Sequence, residues 1–186
     1  MITVPLCHPC NDTFKLDDEY FRIFVTMGAE PGTKLGQLWA EKVVGSSLRS
    51  SPKLKSMLAE DRQQLVEQLQ GKPVRVADGR VITEEQHYLL QPLSAKRINI
   101  VVEKIVRGLH FHEQEERLPV DAGFVINTIF WTEDDYEIVK HFPTGGVGME
   151  GEFLYHYRTV EPGVSRWLLS FYDKHVFDVI VSVPVP

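Results

Sequence analysis

Cys7 and Cys10 stand two residues apart in the stretch Val4-Pro5-Leu6-Cys7-His8-Pro9-Cys10-Asn11-Asp12, and no other cysteine occurs in the 186 residues. Two thiolates at this spacing can grip one zinc ion from neighbouring positions of a knuckle turn, which supplies half of a closed tetrahedral shell. They can equally form a redox pair, since a proline between two cysteines at a helix start favours a reactive thiolate. A third reading is two thiols with no chemical role. The remaining candidates are weaker. His110-x-His112 followed by Glu113 would share a face in a strand, but two positions on a helix diverge by about 200° and cannot chelate; a helix end carrying His⁺ near the negative dipole is the plainer reading. His141, His156 and His175 occur singly. Asp17, Asp18 and Glu19 could face a hard cation, yet acids near a helix start explain them more cheaply. Residues 144–148 (Thr-Gly-Gly-Val-Gly) lack the Gly-Lys-Ser/Thr ending of a phosphate loop and read as a hairpin loop. Phe153, Tyr155, Tyr157, Trp167, Phe171 and Tyr172 could form a base-stacking platform or pack as core.

The elements that must position these residues follow from periodicity. Asn11, Asp12 or Thr13 can cap a helix, whose apolar positions Leu16, Tyr20, Phe24 and Met27 recur at helical spacing until Gly28 and Pro31-Gly32 stop it. A second helix is expected over 34–48, with Leu35, Leu38, Trp39 and Val43 in its stripe. A third starts at Pro52, a residue suited to the first helical position, and runs to about 70. Residues 74–82 alternate around Asp78-Gly79, a strong hairpin signal. The most regular helix spans 94–110, where Ile98, Val101, Val102, Ile105, Val106 and Leu109 make a broad apolar face, so it belongs in the core. Strands then follow at 124–131, 152–159, 165–171 and 176–183. The fold class is therefore α+β: N-terminal helices, a β-hairpin, a central buried helix and a C-terminal antiparallel β-meander. Residues 1–28 read as a half zinc knuckle with its first helix and 29–186 as the α+β body, together one globular domain.

Composition is that of a soluble protein, with 43% hydrophobic and 25% charged residues. No apolar run is long enough to span a bilayer and no leader opens the chain, so a cytoplasmic protein is expected. The net charge of −6 argues against indiscriminate nucleic-acid binding. Between 34 and 80, however, nine Lys or Arg face five acids, so a polyanion could approach that segment.

Cys7-His8-Pro9-Cys10-Asn11, with Phe14-Lys15 and Asp18-Glu19-Tyr20-Phe21-Arg22 after it, resembles the second zinc knuckle of zinc-containing HNH endonucleases, and more narrowly a bacterial group of uncharacterised HNH-like proteins. The resemblance extends to Arg107-Gly108-Leu109 with His112 and Leu118-Pro119, and to Ser165-x-Trp167 with Phe171-Tyr172. It implies a lineage of metal-dependent phosphodiester hydrolysis, structural zinc on Cys7 and Cys10, and Asn11 as the residue nearest the former active helix.

The departure from that pattern matters as much. HNH enzymes place an earlier Cys-x-x-Cys and an Asp/Glu-His pair upstream of this knuckle, the histidine being the general base that activates water. Only six residues precede Cys7 here, so the expectation is an N-terminally truncated or remnant member, catalytically incomplete as written. A divalent catalytic metal would require upstream sequence. A histidine elsewhere or a second chain, in a homodimer, would complete the zinc shell. The rival readings are a non-catalytic module that binds nucleic acid or protein, and a Cys-x-x-Cys redox protein. The redox reading conflicts with strands that come late and pair antiparallel, where such folds use parallel βαβ units.

Overall fold

The computed structural model describes residues 8–27, 29–69, 72–75, 81–83, 94–129, 144–149, 152–172 and 175–184. Helix α1 spans His8–Thr26. Tyr20, Ile23 and Phe24, at i, i+3 and i+4, are buried together with Phe21 and Val25, as an inward apolar stripe requires. It starts about three residues before the caps expected at Asn11–Thr13, so Cys10 already lies within the helix. At the other end the Thr26 hydroxyl donates to the Arg22 carbonyl at 2.7 Å, and Gly32 takes φ +88°.

The helix expected over 34–48 is present as three pieces. Helix α2 (Lys34–Leu38) is capped by Thr33, whose hydroxyl oxygen accepts from the Gly36 N–H at 3.0 Å. Glycine is required at 36, because a Cβ there would collide with the Glu30 carbonyl oxygen. The chain then widens into a π-helix, Trp39–Ser47, with hydrogen bonds reaching five residues back: the Leu48 N–H to the Val43 carbonyl, and the Ser47 hydroxyl to the Lys42 carbonyl at 3.0 Å. A short turn, α3 (Leu48–Ser50), ends at extended Ser51. The Ser51 hydroxyl oxygen accepts from the Leu54 N–H at 3.2 Å and so caps α4 (Pro52–Leu69), which begins on its proline as expected. Strands β1 (Val74–Arg75) and β2 (Val81–Ile82) pair antiparallel, Val74 opposite Ile82. The Asp78-Gly79 turn expected between them lies outside the described residues.

Helix α5 spans Ala95–Gln114, four residues past the expected end at His110. Ile98, Val101, Val102, Val106 and Leu109 are buried; Glu115, at φ +56°, ends the helix. The sheet has five antiparallel strands in the order β3-β7-β6-β5-β4: β3 Gly123–Ile129, β4 Thr144–Met149, β5 Phe153–Glu161, β6 Val164–Phe171 and β7 His175–Ser182. Strands β5, β6 and β7 form the expected meander. Strand β4 corrects the loop expected at 144–148. Its glycine backbone pairs with β5, Gly145 opposite His156 and Gly146 opposite Tyr155, with a register shift between Val147 and Met149. Gly163, at φ +75° after Pro162, turns β5 into β6, as the third position of a type II turn requires.

Alternation and register place Phe153, Tyr155, Tyr157, Trp167, Leu169, Phe171, Phe177, Val179 and Phe124 on one face of the sheet. The C-terminal part of α5 packs on that face: Arg107 stands 4.7 Å from the Phe124 ring centroid, and His110 lies 6.2 Å from Trp167. Leu168, Ser170 and Asp178, on the opposite face, are buried as well. Contacts divide the chain into two compact units, Lys15–Ile98 as one and Met1–Phe14 with Asn99–Pro186 as the other. The observed class is α+β, with helices first and the antiparallel sheet last.

Candidate nucleic-acid interface and aromatic cleft

Of the residues that the sequence singles out for chemistry, Cys7 lies outside the described residues. Cys10 and Asn11 occupy the first turn of α1, and their side chains are likewise not described. A helix starting at the cysteine pair is the local structure that a knuckle or a redox motif needs. Among the described residues no group of three or more His, Cys, Asp or Glu comes together to hold a metal ion. His110 and His112 are both within α5, so they point in divergent directions and form no chelate.

In the Lys15–Ile98 unit the structure redistributes charge. Arg97 donates to Asp17 Oδ1 at 3.3 Å, lies 5.9 Å from the Tyr20 ring centroid, and brings Nε within 4.0 Å of Asp61 Oδ2. The Tyr20 hydroxyl accepts from the Ser94 N–H at 2.8 Å. Burial, with Asp61 close by, pushes the Tyr20 phenol far above its ordinary range, although the Ser94 N–H and Arg97 oppose the shift. Asp61 is thereby drawn off the surface; its side chain is only 14% exposed. On the described part of 34–80, Lys34, Lys42, Arg49, Lys53, Lys55, Arg62 and Lys72 are exposed, against exposed Glu41, Glu60 and Glu67. The exposed charge keeps the basic excess that composition indicates, seven cations against three acids. On α4, Leu54, Met57, Leu58 and Asp61 turn inward. Lys55 and Arg62, seven residues apart, share an exposed face.

The second constellation lies where the end of α5 meets β5 and β6. The Glu113 carboxylate accepts from the Tyr155 hydroxyl in a short hydrogen bond and from the Tyr157 hydroxyl at 3.3 Å. Gln114 Nε2 donates to the Tyr157 hydroxyl at 3.2 Å. Burial raises both phenols above their ordinary range, and the neighbouring Glu113 charge adds to it. Tyr157 stacks on Trp167 at 4.6 Å and 14°, and the Trp167 indole N–H donates to Ser165 Oγ at 2.9 Å. Beside them is a cavity of about 140 Å³ lined by His110, Gln114, Tyr157, Thr159, Ser165 and Trp167, with Leu118, Gly163, Val164 and Val183. Burial lowers the His110 pKa despite the opposing charge of Glu116, so the ring is neutral near pH 7. The cavity therefore offers hydrogen bonds and a flat aromatic wall without a charged group.

Phe153, Tyr155 and Tyr157 do share one face, as alternation predicts, and that face is packed under α5. Tyr155, Trp167 and Phe171 are buried and Phe153, Tyr157 and Tyr172 half-buried, so the group packs into the core and forms no open platform. Sequence reasoning misses Glu113 as the partner of both tyrosines and the cavity itself; the Tyr-x-Tyr spacing fixes a shared face but not what lies above it. Arg107 and the Ser165-x-Trp167 pair have visible work in the scaffold. Arg107 donates to the Pro119 carbonyl at 2.8 Å and the Val120 carbonyl at 3.3 Å, tying the turn before β3 to α5. Ser165 fixes the Trp167 indole. No protein-family model, curated protein or solved structure matches this chain.

Proposed function

We propose that this chain is a nucleic-acid-binding body of the HNH-endonuclease lineage, acting in the cytoplasm, that engages the sugar–phosphate backbone without cutting it. The observation that carries the reading is the exposed basic set of 34–72, seven cations against three exposed acids, with Asp61 drawn in against Arg97 and Tyr20. Lys and Arg on one helical face neutralise phosphates whatever the sequence, and each contact releases condensed counterions. Strand cleavage is not part of the proposal. Cys7 and Cys10 are, in this reading, half of a structural zinc clasp at the start of α1, completed by the same pair of a second copy. The redox alternative draws no support from the sheet, in which every pairing among the described strands is antiparallel.

Fluorescence anisotropy with a labelled DNA duplex tests the proposal. Binding is expected to weaken linearly in log–log form as salt rises, with a slope of about −0.9 per phosphate contacted. The duplex is expected to stay intact with magnesium or zinc added. Binding indifferent to salt, or no binding at low salt, overturns the reading.

A further inference from the structure

We infer that the cavity between the end of α5 and strands β5 and β6 is a binding site for a neutral, planar, single-ring heterocycle of the pyrimidine-base type. Four properties of its wall lead there. Its volume, about 140 Å³, is close to that of engineered protein cavities that accept one benzene ring, so a single ring matches its size. Tyr157, half-buried and backed by the fully buried Trp167 it stacks on, makes one side flat and apolar, and Leu118, Val164 and Val183 extend that surface. No Lys, Arg, Asp or Glu is in the lining. His110 is held neutral by its burial, so an ionic ligand would enter without a counter-charge.

The fourth property separates a heterocycle from a hydrocarbon. Gln114, Thr159, Ser165 and Tyr157 bring amide and hydroxyl groups to the same small space. Their orientations are already set: Tyr157 by Glu113 and Gln114, and Ser165 by the Trp167 indole. A benzene ring would strip water from these groups and return nothing, which costs affinity. A ring edged with carbonyl oxygens and N–H groups, such as uracil or cytosine, would replace the water with hydrogen bonds. Gln114 and Thr159 are exposed, so the opening is on their side and the ligand enters past them.

This site stands apart from the phosphate-binding reading, because its lining carries no cation and lies wholly within residues 110–183. The test is ligand-observed NMR and equilibrium dialysis on the full chain with uracil, cytosine, adenine and benzene as probes. Uracil or cytosine is expected to bind saturably, benzene and adenine at least tenfold more weakly. Thr159→Trp, at an exposed strand position, is expected to abolish binding by filling the mouth. Gln114→Leu, at the exposed end of α5, is expected to weaken it about tenfold, the cost of one or two hydrogen bonds. Should Thr159→Trp not fold, Gln114→Leu decides alone. No saturable pyrimidine binding, benzene binding as tightly as uracil, or pyrimidine binding unchanged in the folded variants overturns the proposal. Charge reversal at Lys55 and Arg62 is expected to leave pyrimidine binding unaltered, which keeps this result separable from that for DNA.

Discussion

At the scale of single residues, the side chains with most at stake are polar groups placed inside the fold. Arg166 meets Asp178 across β6 and β7 in a two-pronged pair, Nε to Oδ1 at 2.7 Å and Nη2 to Oδ2 at 2.8 Å, and Asp178 is only 8% exposed. The paired carboxylate raises the Arg166 pKa further, against the effect of burial. Breaking such a pair strands a charge, so Asp178→Ala is expected to cost about 2–4 kcal/mol in urea unfolding. Arg166→Lys is expected to recover only part of wild-type stability, because an ammonium lacks the planar fork. An unchanged midpoint for Asp178→Ala would refute that assignment. His110 and His156 are both lowered by burial, and His156 Nδ1 is buried without a hydrogen-bond partner. The unfolded chain protonates these rings near their ordinary 6.5, whereas the folded chain resists. Their contribution to stability is therefore complete above pH 6.5 and lost as pH falls through and below it. Melting temperature is expected to drop between pH about 7.5 and about 5.5, and to drop less in His110→Gln/His156→Gln. An equal drop in the variant would contradict this.

At the scale of elements, periodicity carries far where one face is buried and less where backbone geometry decides. Ile98, Val101, Val102, Val106 and Leu109 announce α5, and Pro52 marks the start of α4. The alternating aromatics of β5 and the Pro162-Gly163 turn define the meander. Residues 144–149 were not legible as a strand, since Thr-Gly-Gly-Val-Gly-Met has little side chain to signal a face; main-chain pairing to β5 makes the strand. The π-helix was not legible either, because the spacing of Leu35, Leu38, Trp39 and Val43 fits an α-helix as well as a widened one. The cavity depends on Glu113, Gln114 and Tyr157 meeting across some forty residues, a tertiary fact. The zinc clasp proposed at the start of α1 rests on two cysteines alone. Zinc in the purified protein is expected at about one ion per two chains, the ratio that four thiolates from two pairs require. It should fall to background in Cys7→Ser/Cys10→Ser, together with the dimer fraction by sedimentation. One zinc per monomer, or a dimer unaffected by the double substitution, would contradict a shared clasp.

At the scale of the whole molecule, the chain is acidic overall but carries its bases where they can be used. The net charge of −6 sets a general repulsion from nucleic acid, and the exposed cations of 34–72 must overcome it locally. Among the described residues no helix is long and apolar enough to cross a membrane. The measurement that bears most directly on the central claim compares wild type with Lys55→Glu/Arg62→Glu in DNA-binding anisotropy across a salt series. With two phosphate contacts removed, the account predicts a slope shallower by about 1.8, weaker binding at every salt concentration, and unaltered thermal stability. Equal affinity and equal slope in the two proteins would contradict it.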